Sequence, residues 1–224
     1  MSSVNEHFTF QYLQPAEYRF SHDSVFLARR VFEDLRETGS SPLRIADLCS
    51  GCGIIGLDLM FHLRQNNLKL PLSADFIEVQ EIYAEYFSKN SEKLKTPDLQ
   101  LNFIALNYAR IRDEPKFREK YDLLVCNPPY FRLGHGALSP SDFKNRCRFF
   151  IDSDLENLLW AIEYSLQPGG VAYVLLKSLD THGISVENEI SKLIPKLMLR
   201  KLEPVRGTDL YRFTKSDSAN SVKL

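Results

Sequence analysis

Asn127, Pro128, Pro129 and Tyr130 follow directly on the apolar run DLLVC, residues 122–126. Such a run reads as a strand buried on both faces, and prolines, which donate nothing to a ladder, must end it. Asn127 therefore stands at the carboxyl end of a strand, where ligands bind in open α/β sheets. Its side-chain carbonyl and the Pro128 carbonyl can accept the two N–H groups of a planar amine, favouring positive charge as it develops on nitrogen. Proline rings hold that carbonyl in place, and Tyr130 offers a ring face for stacking. No general base is needed before attack, because the proton can leave the cationic product to water. The plainer alternative is a chain turn in which Asn127 satisfies only local backbone groups.

A second group of residues lies upstream. IADLCSGCGIIG, residues 45–56, holds Gly51-x-Gly53-x-x-Gly56 after a predicted strand and at the opening of a predicted helix. Glycines there let the backbone approach a ligand and free the amides of the helix start. Glu78 ends the next predicted strand, where a carboxylate accepts hydrogen bonds from ribose hydroxyls; NAD and S-adenosylmethionine both carry such a ribose. Asp47 separates the two. A carboxylate before the first glycine would repel a pyrophosphate, whereas S-adenosylmethionine brings an ammonium and a sulfonium. Cys49 and Cys52 form a CxxC, but no second ligand pair follows to complete a zinc site, so small residues packing a tight turn explain it better.

These residues need an alternating scaffold to hold them. Helical spacing of Val25, Leu27, Ala28, Val31, Phe32 and Leu35 predicts a helix over 23–37, stopped by Gly39 and Pro42. Strands are predicted at 43–49, 74–79, 99–106, 122–127 and 171–176, with helices at 54–63, 81–94 and 154–166, the last capped by Asp152 or Ser153. Residues 186–197 read as a helix broken or kinked at Pro195, and 199–205 with 209–215 as a hairpin at the sheet edge. The expected fold is α/β: a doubly wound, mostly parallel seven-stranded sheet with an antiparallel C-terminal edge hairpin. One domain over residues 1–215 is expected, in which 1–40 pack as a segment and helix; 216–224 read as a disordered tail.

Bulk composition narrows little. With 224 residues, 44% hydrophobic and 25% charged, the chain is ordinary for a globular protein, and its net charge of −1 gives no global pull on nucleic acid. No apolar signal core or membrane span is evident, so a cytoplasmic location is expected. Residues 131–151 show little periodicity and read as a long functional loop. There Lys144, Arg146 and Arg148 could meet phosphates among interleaved phenylalanines, while His135 reads as a loop residue.

Taken together, Asp47-Leu-Cys-Ser-Gly51-Cys-Gly53, Glu78 and Asn127-Pro-Pro-Tyr130 resemble the Rossmann-like methyltransferases of the NPPY type. Those enzymes methylate planar nitrogens, namely the exocyclic amine of adenine or the amide of glutamine. The resemblance runs from Phe8 to Lys177. Within the group, FTFQYLQPAEYRFSHDSVFLA and NPPYFRLG are similar to the bacterial tRNA adenine-N6 methyltransferases acting on valine tRNA. Gln11, Tyr18, Arg19, Phe20, Asp23, Ser24 and Val25 match that pattern, and Phe26 departs from it.

The resemblance implies S-adenosylmethionine as cofactor, bound by Asp23, Asp47, Cys49, Gly51, Gly53, Glu78, Val79, Asn107 and Asn127. Asn107 stands where many members carry an acid for the adenine amino group of the cofactor; its carbonyl could still accept that bond. Catalysis is implied for Asn127, Pro128, Pro129 and Tyr130, and substrate binding for Tyr130, Phe131, Lys144, Arg146 and Arg148. The implied partner is RNA, a tRNA foremost, with no metal and no membrane. Competing readings are a protein glutamine methyltransferase, which usually needs a longer helical N-terminal domain, a catalytically silent module that binds S-adenosylmethionine, and an NAD oxidoreductase.

Overall fold

A computed structural model describes residues 11–19, 22–134, 136–177 and 186–216. Seven strands form one sheet: β1 (Arg44–Leu48), β2 (Ser73–Glu78), β3 (Gln100–Ala105), β4 (Tyr121–Cys126), β5 (Leu166–Leu176), β6 (Leu197–Val205) and β7 (Thr208–Lys215). Their order is β3-β2-β1-β4-β5-β7-β6, parallel through β5, with β7 antiparallel between β5 and β6. The expected doubly wound sheet with its C-terminal hairpin is what forms. Central strands are buried on both faces because helices cover both sides, which is why they read as continuous apolar runs.

One layer carries α1 (His22–Thr38), α2 (Ile54–Gln65) and α3 (Tyr83–Ser91). Leu27, Phe32, Leu57, Phe76 and Phe87 pack there with no more than a few per cent exposed. The other layer holds α5 (Leu155–Ser165), α6 (Val186–Leu193) and two short 3-10 turns, Tyr108–Asp113 and Pro115–Phe117, over Leu124, Tyr211 and Phe213. No helix among the described residues is long and apolar enough to cross a membrane.

Several expected elements are redrawn. The aperiodic stretch 131–151 contains a helix, α4 (Asp142–Arg148), whose first turn is capped by Ser141 accepting from the Lys144 amide at 3.3 Å. Asp154, rather than Asp152 or Ser153, caps α5 by accepting from the Asn157 amide at 2.8 Å; the Asp152 carboxylate is spent on Arg146. The C-terminal helix stops at Leu193, before Pro195, and Leu197 already belongs to β6. β5 starts at Leu166 rather than at 171, so Pro168–Gly170 form an irregularity inside the strand, where the β4 register shifts between Tyr121 and Leu123. Phe20, His135 and residues 217–224 lie outside the described residues.

That irregularity requires a residue without Cβ. A Cβ on Gly170 would stand 2.8 Å from the Gln167 carbonyl oxygen and 2.9 Å from that of Tyr121, both backbone atoms that cannot swing away. Gly170→Ala is therefore expected to cost about 1–3 kcal/mol through overpacking, read as a lower urea midpoint at unchanged slope. An unchanged or raised midpoint would contradict the close approach.

Candidate cofactor and acceptor site

Register brings the two sequence motifs together. Leu48 at the end of β1 lies opposite Ile77 of β2 on one side and Cys126 of β4 on the other, so the glycine loop, the end of β2 and Asn127 emerge side by side. The strand order reverses about β1, and a cavity of about 200 Å³ opens there. Its wall includes Cys49, Gly51, Glu78, Val79, Asn127 and Tyr130.

The glycine loop curls through three left-handed residues, Cys49 (φ 56°), Gly51 (φ 52°) and Gly53 (φ 88°). Cys49 is not glycine, so its conformation is held against a local cost of about 1–3 kcal/mol. Gly53 is needed twice over, since a Cβ there would also meet the Phe87 ring at 2.8 Å. Gly56 serves packing: a Cβ on it would stand 2.7 Å from the Phe76 ring and 3.3 Å from Asp47 Oδ2.

Two carboxylates stand beneath this loop. Asp47, 1% exposed, accepts the Gly56 amide at 2.8 Å through Oδ2, while its Oδ1 has no partner among the described residues. Burial pushes its pKa up to about 8, opposed by the Gly56 N–H and reinforced by the negative charge of Glu78. Glu78 Oε2 accepts the Gly51 amide at 3.0 Å and Oε1 the Gln80 amide at 2.9 Å. Its pKa is raised by burial, held back by those amides, and raised further by Asp152. Ser50 Oγ is a second buried polar atom without a partner. The unpartnered Ser50 hydroxyl on the cavity wall suits a polar ligand.

Asn127 sits at the other wall. Its Nδ2 donates to Ser24 Oγ at 2.9 Å and its Oδ1 accepts the Tyr130 hydroxyl at 2.6 Å. The amides of Tyr130 and Phe131 both donate to the Arg148 carbonyl, at 3.1 and 3.0 Å, and the Phe150 amide donates to the Phe131 carbonyl at 2.8 Å. The end of α4 is thus strapped onto the segment that follows Asn127. Cys147 of α4 meets Tyr83 and Gln80, its Sγ 3.3 Å from the Tyr83 hydroxyl and 3.4 Å from Gln80 Nε2.

Of the expected cofactor residues, Cys49, Gly51, Glu78, Val79 and Asn127 line the cavity. Asp23, Asp47, Gly53 and Asn107 do not. Asp23 faces Arg206 at 3.5 Å. Asn107 turns away: it accepts the Ala109 amide at 2.9 Å and donates to the Asp152 carbonyl at 2.7 Å, which commits its carbonyl to capping a 3-10 turn. Pro128, Pro129, Tyr130, Phe131, Arg146 and Arg148 share the wall, whereas Lys144 stays off it. Arg146 is held by Asp152 in a bidentate pair at 2.8–3.1 Å, which leaves Arg148 as the α4 cation on the wall without a carboxylate partner in hydrogen-bond range among the described residues. Sequence reading missed Gln80, Tyr83, Cys147 and Asp152 as wall residues; only Gln80, two residues past Glu78, carried a positional signal.

No protein-family model matches the chain. A tRNA1(Val) (adenine(37)-N6)-methyltransferase of Dyadobacter fermentans is 29% identical over 183 residues, 80% of this chain and 70% of that one. A release factor glutamine methyltransferase of Borreliella burgdorferi is 26% identical over 48% of this chain, which spans about a third, 32%, of its length. Among solved structures, a T. thermophilus 16S rRNA N2 G1207 methyltransferase in complex with AdoMet and guanosine superposes with a TM-score of 0.59 at 14% identity, over 89% of this chain and 44% of that one.

Fold and relatives define a Rossmann-like, S-adenosylmethionine-dependent methyltransferase. Within that class the sequence is similar to the tRNA1(Val) adenine-N6 methyltransferases. When bound, S-adenosylmethionine supplies an electrophilic methyl on a sulfonium. Glu78 retains lone pairs beyond those its two amides use, and Asp47 braces the loop through the Gly56 amide.

Two outcomes are expected. The folded protein binds a proton at Asp47 that the unfolded chain, with an aspartate pKa of about 3.9, gives up earlier. Stability relative to Asp47→Asn is therefore greatest below about pH 4 and is lost as pH rises through about 8; urea titrations of both proteins across that window that run parallel would refute it. Glu78→Ala should weaken S-adenosylmethionine binding by about 1.5–3 kcal/mol for each charge-assisted bond lost. Calorimetry reads this directly, and an unchanged dissociation constant would place the ribose elsewhere.

Proposed function

We propose that this chain transfers the methyl group to the exocyclic N6 amine of adenine in RNA, a tRNA foremost, in the cytoplasm. The observation that carries the reading is an uncharged acceptor, Asn127 Oδ1, at the end of β4 beside Tyr130 and next to the cavity that holds the glycine loop and Glu78. An exocyclic amine is a poor nucleophile because its lone pair is delocalised into the purine ring. Asn127 and the Pro128 carbonyl accept its two N–H groups and favour a pyramidal nitrogen with growing positive charge. The Tyr130 hydroxyl occupies one lone pair of Asn127 Oδ1 and leaves the other for the amine. The proton then departs to water.

RNA is supported by the similarity to the tRNA enzyme over 80% of the chain and by the surroundings of Phe131. Lys177 Nζ stands 4.9 Å from the centre of that ring and the Arg148 guanidinium 5.7 Å from it. An aromatic face beside two cations suits a base with its phosphates. The second reading, methylation of a glutamine amide, has its support in the release factor relatives, because the same two acceptors would serve an amide nitrogen.

Asn127→Ala should leave S-adenosylmethionine affinity within a few-fold while lowering single-turnover methyl transfer at least a hundredfold, roughly 2.7 kcal/mol of barrier; turnover near wild type would remove Asn127 from the chemistry. The acceptor is read by offering labelled S-adenosylmethionine to RNA and protein from cells lacking the gene. N6-methyladenosine in the small-RNA fraction is expected, with transfer weakened modestly by salt because few phosphates are contacted. Label in a polypeptide with none in RNA would reverse the assignment in favour of glutamine.

A further inference from the structure

An asparagine amide has two ends of nearly equal shape, and only the carbonyl end can accept an amine N–H. For Asn127 the outcome rests on its neighbours. Two hydroxyls flank it, Tyr130 at 2.6 Å and Ser24 at 2.9 Å, and a hydroxyl can donate or accept. Those two contacts alone therefore leave the amide free to face either way. A third hydroxyl biases the choice. Thr208, the first residue of β7 and 8% exposed, favours the ionised form of the Tyr130 hydroxyl, as a donor beside it does. When Thr208 donates, the Tyr130 proton is directed onto Asn127 Oδ1, the Asn127 N–H is directed onto Ser24 Oγ, and the chain of bonds runs one way.

We propose that Ser24, 103 residues away in sequence and carried by the first turn of α1, is a positioning residue that locks the Asn127 amide with its carbonyl toward the acceptor. This rests on the role given to Asn127 above. Ser24 is 7% exposed and borders the cavity, so water replaces its oxygen poorly. Without it the Asn127 N–H loses its acceptor, and the flipped amide would aim a donor at the amine nitrogen. Nothing in the packing of α1 requires a hydroxyl here, and alanine is the better helix former.

Ser24→Ala is the test. Its melting temperature should fall by no more than a few degrees, because one buried N–H loses its acceptor, and its dissociation constant for S-adenosylmethionine should stay within twofold. The side-chain amide of Asn127, assigned in the ¹H–¹⁵N spectrum by its disappearance in Asn127→Asp, should exchange with solvent at least tenfold faster in Ser24→Ala. Single-turnover methylation of whichever acceptor the wild type modifies, tRNA transcript or release factor, should fall at least tenfold with little change in KM. Unchanged amide exchange would overturn the lock, and so would faster exchange at an undiminished rate. If the wild type modifies neither acceptor, the function proposed above falls, while amide exchange still decides whether Ser24 holds Asn127.

Discussion

The register of β1 against its two parallel neighbours is the constraint on which the site depends. Leu48 pairs with Ile77 and with Cys126, and parallel strands stand about 4.8 Å apart. The loop after β1, Glu78 at the end of β2 and Asn127 after β4 are thereby delivered to one crevice, although up to some eighty positions separate them in the chain. Slipping β1 by one residue would exchange its two faces and turn Asp47 away from α2. Buried apolar side chains on both faces prevent that slip. Ile45, Ala46 and Leu48 are all 1% exposed or less, Ile45 packing into the layer of α1 to α3 and Ala46 and Leu48 into the opposite one.

Asp47 and Glu78 add an electrostatic condition to that geometry. Both are buried, Glu78 raises the cost of ionising Asp47, and backbone amides compensate them only in part: one for Asp47, and those of Gly51 and Gln80 for Glu78. A site with two such groups is more comfortable with a cation than without one. The same argument explains the neutral acceptor wall. With two potential negative charges already on the cofactor side, an amide at position 127 accepts hydrogen bonds without placing a third beside them.

The sheet was legible because its central strands obey a simple rule: buried on both faces, they are apolar without interruption, as at 122–126. Glycine spacing and terminal acids then located the loop and Glu78. What escaped the sequence was decided by contacts between distant segments. α4 has seven residues, too few for helical periodicity to register, and its start is marked only by Ser141. Asn107 looked like a wall residue by position, but a local amide, Ala109, claimed its carbonyl. Arg146 read as a phosphate contact and Asp152 as a helix cap, and their mutual bidentate pairing followed from how α4 folds back. Cys147 carried no signal at all, since its partners Tyr83 and Gln80 lie 64 and 67 positions away.

α4 joins the two halves of the site into one mechanical unit. Through backbone bonds its last residue, Arg148, holds Tyr130 and Phe131, so the acceptor loop cannot shift without it. Through Cys147 it touches Gln80 and Tyr83, which follow Glu78 on the cofactor side. Through Arg146 it holds Asp152, whose charge reaches Glu78. Methyl transfer in line demands that the accepting atom and the methyl carbon approach to about 3–3.5 Å with correct alignment. An acceptor loop braced only by its prolines would keep its own shape while remaining free to drift relative to the cofactor wall. Tying both to one short helix converts two locally rigid parts into one, which places alignment under the control of contacts that themselves take no part in the chemistry.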